Sequence, residues 1–72
     1  MTYVLVTSLN GKETKRQPLE ADNTRQAENL ARIAAGRYIV GDAYSGHFHF
    51  TSRTWTLTKG DTEVLLKVVE AD

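Results

Sequence analysis

The stretch His47-Phe48-His49-Phe50 is where residue type and spacing come nearest to chemistry in this chain. Residues two apart on an extended backbone share a face, so both imidazoles would point the same way and could grip one metal ion. A catalytic zinc needs at least a third protein ligand, and Asp42 and Glu70 are the nearest candidates by chain order. Closed zinc sites use four ligands, whereas this chain has two histidines and no cysteine. Ordinary strand alternation already accounts for the pattern, with Phe48 and Phe50 inward and His47 and His49 in solvent. The expectation is no metal and no cofactor. The same adjacency suggests a pH response, because two protonated imidazoles side by side repel and would loosen an interface below about pH 6.

Cationic side chains give a second constellation. Lys12, Lys15 and Arg16 cluster near one another, and Arg25, Arg32 and Arg37 follow within or just after a helical pattern. Gly11 to Arg37 holds six basic and four acidic residues, a net +2, while Tyr38 onward holds three and five, a net −2. That polarity is weaker than the basic stripe of a nucleic-acid module. Glu13 and Glu20 interrupt the first cluster, and Glu28 precedes Arg32 by four residues, the orientation that favours a surface ion pair. Trp55, beside Arg53 and among Thr51, Thr54, Thr56 and Thr58, suggests either a stacking platform or the anchor of a small core. Ser8, Ser45 and Ser52 stand in no nucleophile-elbow context, and no phosphate-binding glycine loop is present. Asp42 and Asp61 lie in turn segments, where aspartate is a common turn former. Catalysis is not expected.

Positioning any of these residues falls to a chain of 72 residues, 40% apolar and 25% charged, with nine basic and nine acidic side chains. This is the size of one domain spanning residues 1–72, with a core too small to be amply stable alone. The formal charge of zero supplies no field to draw in nucleic acid or an anionic membrane. Tyr3 to Val6 is too short for a signal peptide and lacks a basic leader, so a soluble, cytoplasmic protein is expected.

Thr2 to Leu9 is rich in β-branched and aromatic residues and reads as a central strand, apolar on both faces. Asn10-Gly11 is the preferred pair for a type I′ hairpin turn, and Lys12 to Gln17 returns as a polar edge ending at Pro18. Asn23 and Gln26 fit a capping box. Ala27, Leu30, Ala31, Ala34 and Tyr38 then recur at helical spacing. Gly36 suits the residue that ends a helix, which would leave 37–40 as a short strand, with a helix running on to Val40 as the alternative. A turn over 41–46 follows, then strand-like sequence to Thr58, a turn at Lys59-Gly60-Asp61 and a last strand to Glu70. The register of this second hairpin stays open. A two-residue loop aligns Trp55 and Leu57 with Val64 and Leu66. A three-residue loop aligns Phe48 and Phe50 with Leu66 and Val68, and a bulge near Ser52 would satisfy both.

The predicted fold is a two-layer α+β domain: an antiparallel sheet of four to five strands, ordered β-β-α-β-β-β or β-β-α-β-β, with one helix on one face. One helix covers one face, yet Val4 and Val6 oppose Tyr3 and Leu5, and Leu65 and Val69 oppose Leu66 and Val68. An uncovered apolar face is usually an interaction surface. The functional expectation is a non-enzymatic protein-binding module that forms a homodimer or caps a partner protein, with Trp55, Leu57, Leu65 and Val69 as anchors. Its size also suits an adaptor or inhibitor, including one carried by a phage or other mobile element. The competing expectation is a small nucleic-acid-binding protein using Lys12, Lys15, Arg16, Arg25, Arg32 and Arg37.

Overall fold

The computed structural model describes residues 2–71, with side chains through residue 70. The elements are β1 (Thr2–Leu9), β2 (Lys12–Leu19), α1 (Thr24–Gly36), β3 (Ser45–His49), β4 (Thr54–Lys59) and β5 (Thr62–Ala71). All five strands form one antiparallel sheet in the spatial order β2-β1-β5-β4-β3, with the helix on one face. This is the expected α+β architecture. β1, β5 and β4 are internal, with β5 in the middle, and β2 and β3 are the two edges.

Local turn chemistry sets the registers. Asn10 and Gly11 have φ of 50° and 85°, the pair of positive angles a type I′ turn demands. Asn10 also ties this turn to β5. Its N–H donates to the Glu63 carbonyl at 2.8 Å, and its Oδ1 accepts from the Glu63 N–H at 2.9 Å. At the second hairpin Lys59 pairs with Thr62 across a two-residue loop whose first residue, Gly60, has φ of 60°. That register sets Trp55 opposite Leu66 and Leu57 opposite Val64. The stretch before it is folded back rather than bulged. Residues 50–53 form a turn, Arg53 takes φ of 53°, and Phe48 pairs with Trp55.

β2 departs from its expected form in two ways. The strand runs through Pro18 to Leu19, which an edge tolerates because one row of its backbone groups faces solvent. A bulge at Thr14 shifts the register, so that Thr7 faces Lys15 while Ser8 faces Glu13. The extra residue places Glu13 and Arg16 on one face despite their odd spacing, and Arg16 Nε donates to Glu13 Oε2 at 2.8 Å.

Asn23 caps the helix, its Oδ1 accepting from the Gln26 N–H at 2.9 Å. Gln26 reaches back to the N–H of Asp22 at 2.8 Å, one residue before the cap. The far end corrects the expectation of a strand over 37–40. Gly36 has φ of −58° and ψ of −34°, an ordinary right-handed helical geometry, and a π-helical turn continues over Arg37–Gly41. The Tyr38 carbonyl closes that turn by accepting from the N–H groups of Asp42 and Tyr44 at 3.0 and 3.1 Å. Continuing the helix keeps Tyr38 and Ile39 on the face that packs against the core.

That core comprises Leu5, Ala31, Ala35, Leu57, Val64 and Leu66, with Tyr38, Ile39, Trp55 and Val68 packed around it. Small helix residues let the helix backbone lie close to the strands, and Tyr3 Oη joins Thr24 Oγ1 at 3.2 Å near the helix start. A helix with its side chains is about 10 Å across, whereas five strands about 4.8 Å apart span roughly 19 Å. One helix therefore leaves a groove along each flank and the whole opposite face without a cover.

Candidate functional site

The uncovered face is set by strand alternation. It carries Val4 and Val6 from β1, Leu65 and Val69 from β5, and the threonines Thr54, Thr56 and Thr58 from β4. Val4 pairs with Val69 across the two central strands, and Ser8 pairs with Leu65. All four apolar side chains are half-buried by their sheet neighbours, and no element among the described residues lies over them. Charges interrupt the strip as well as border it. Lys67 stands on β5 between Leu65 and Val69 and opposite Val6, Glu63 lies on the far side of Leu65, and the Arg16–Glu13 pair lies on β2. Glu13 raises the Arg16 guanidinium above its ordinary pKa, first through the hydrogen bond and then through charge.

The expected anchor set of Trp55, Leu57, Leu65 and Val69 is divided between the two faces of the sheet. Leu65 and Val69 are on the uncovered face. Trp55 and Leu57 point under the helix, where Leu57 is 0% exposed. The two-residue loop at Gly60-Asp61 causes the division, because it puts even-numbered β5 residues with Trp55 and Leu57. Val4 and Val6 take their places on the uncovered face.

His47 and His49 do share a face, with ring centroids 4.7 Å apart, and both are exposed at the β3 margin of the uncovered side. Neither suggested third ligand joins them. Glu70 alternates with Leu66 and Val68 toward the helix side, and Asp42 lines a groove beside Lys15 and Arg37. Among the described residues no three His, Cys, Asp or Glu side chains gather in a metal-holding group.

The six cationic residues do not form one surface either. Arg16 is on the uncovered face, and Lys12 is at the hairpin end of β2. Lys15 and Arg37 line a groove of about 300 Å³ on the β1–β2 flank of the helix. Arg25 and Arg32 line a groove of about 440 Å³ on the other flank, with Glu28 and Asn29 between them and Phe48 and Trp55 as its sheet wall. The bulge and the helix axis separate residues that stand close in sequence. Glu28 pairs not with Arg32, as its spacing suggested, but with Arg53, at 3.4 Å across to the β3–β4 turn.

Sequence reasoning missed an aromatic series along this second groove. Phe50 meets Phe48 edge-on at 5.1 Å, and Phe48 meets Trp55 at 5.3 Å. Phe50 is 86% exposed, although alternation within one continuous strand would have turned it inward. The turn over 50–53 releases it from the sheet. No helix among the described residues is long and apolar enough to cross a membrane. Comparisons with protein-family models, with curated proteins and with solved structures find no match to this chain.

Proposed function

We propose that this protein is a non-enzymatic protein-binding module that self-associates through the uncovered face of its sheet. The observation that carries the reading is the apolar strip of Val4, Val6, Leu65 and Val69 on the two central strands, with no layer over it among the described residues. A second copy is the occupant that the charges favour. Glu63 and Lys67 flank Leu65 on one strand, so two sheets stacked antiparallel about a two-fold axis near Leu65 set each Lys67 against the partner's Glu63. Stacking in the same direction would instead set like charge on like charge.

Sedimentation over a concentration series tests this. The wild-type chain should pass from monomer to dimer as concentration rises. Leu65→Lys should stay monomeric while keeping its circular dichroism spectrum. Lys67→Glu should weaken the dimer at least fivefold, and adding Glu63→Lys should restore it, because the swap recreates opposite charges across the axis. A wild-type chain that stays monomeric at every concentration overturns the reading.

A further inference from the structure

The groove between the helix and the β3–β4 hairpin joins two arginines to an aromatic wall. Its helix wall presents Arg25 and Arg32, two turns apart, or about 10 Å along the axis. Its sheet wall is aromatic, and the Phe50–Phe48–Trp55 series continues that wall outward into solvent. Glu28, the one acidic residue lining it, is held by Arg53. Among the described residues Arg25 and Arg32 have no ion-pair partner, so the groove keeps a local excess of positive charge that the neutral total conceals.

We infer that this groove binds single-stranded nucleic acid, with bases stacking on Phe50 and Phe48 beside Trp55 and phosphates meeting Arg25 and Arg32. Flat aromatic faces accept any base by stacking, and a guanidinium meets phosphate through paired hydrogen bonds. The two arginines fit a backbone running along the helix rather than one compact anion, since they stand at opposite ends of the groove. Both charge and aromaticity point to this ligand. An acidic peptide would use the arginines and leave the rings idle. The site lies on the helix side of the sheet, so it does not depend on association through the opposite face, and such a dimer would carry two grooves pointing outward.

The test uses fluorescently labelled twelve-nucleotide strands of oligo-dT and oligo-U, together with the emission of Trp55, the sole tryptophan. Binding should quench that emission, and two phosphate contacts should give a log–log salt slope of about −1.4. Phe50→Ala, a change at an exposed position, should weaken binding about fivefold or more. Arg25→Glu with Arg32→Glu should weaken it at least tenfold and flatten the salt slope. Lys12→Glu with Lys15→Glu, away from the groove, should leave affinity unchanged. Leu65→Lys should bind as the parent does, which separates this outcome from failure of the dimer. Any of these results overturns the inference: no quenching, equal binding of a duplex, equal loss from the Lys12 and Lys15 changes, or displacement of the strand by an equal concentration of mononucleotide. Binding of a polyglutamate peptide in place of the strand overturns it as well.

Discussion

Gly46 lies where β3 passes close to Ile39. A Cβ there would stand 2.5 Å from Ile39 Cδ1, 3.1 Å from Ile39 Cγ1 and 3.2 Å from Leu57 Cδ2. Ile39 can swing its tip aside, but Leu57 is fully buried and has little room to move. Gly46→Val is therefore expected to cost about 1–3 kcal/mol by overpacking, read from urea unfolding. Part of that loss should return when Ile39→Val is added, and a single variant as stable as the parent would sink the explanation. From sequence alone Gly46 looks like the closing glycine of a turn. Its real constraint depends on Ile39, whose place is fixed only once the helix is known to continue. Asn10-Gly11 was legible for the opposite reason, because the positive φ values of a type I′ turn are a property of those two residues themselves.

For the helix, the competing cues were a glycine that could stop it and an apolar period that ran past that glycine. The period prevailed, since burying Tyr38 and Ile39 against the core outweighs a helix-breaking preference of about 1 kcal/mol. This has a direct consequence. Gly36 holds right-handed helical angles, and a Cβ added there meets nothing within 4 Å. Gly36→Ala should then stabilise the fold by about 0.4–1 kcal/mol, seen as a higher thermal midpoint. Destabilisation would mean that the residue turns left-handed and ends the helix after all. The strands were easier to read than their grouping. Alternation in β1 and β5 was plain, but which alternate set lay under the helix depended on one residue of loop length at Gly60-Asp61. Alternation alone therefore separates Leu65 and Val69 from Leu66 and Val68, but only the loop length tells which pair shares a face with Trp55 and Leu57.

For the whole molecule, the governing mismatch is between one helix and five strands. Counting faces was enough to anticipate the uncovered side. It was not enough to anticipate the flanking grooves, because those follow from the helix width and from the turn at 50–53 that frees Phe50. If the uncovered faces associate, folding and dimerisation are linked, and the thermal midpoint becomes concentration-dependent. The expected rise is roughly 3–5 °C for each tenfold increase in protein, measured by calorimetry. A midpoint independent of concentration would separate folding from association.

The two sheet margins differ in kind. β2 is charged, carries Pro18 and is bent by the bulge at Thr14, whereas β3 is five residues long and has none of these features. Proline, charge and bulges are what prevent one strand from recruiting another. Extension along the hydrogen-bonding direction would therefore use β3, and pairing there would consume the more permissive margin of both chains. Edge-to-edge growth of that kind would end at two copies, whereas a chain with both margins open would be a template for fibres.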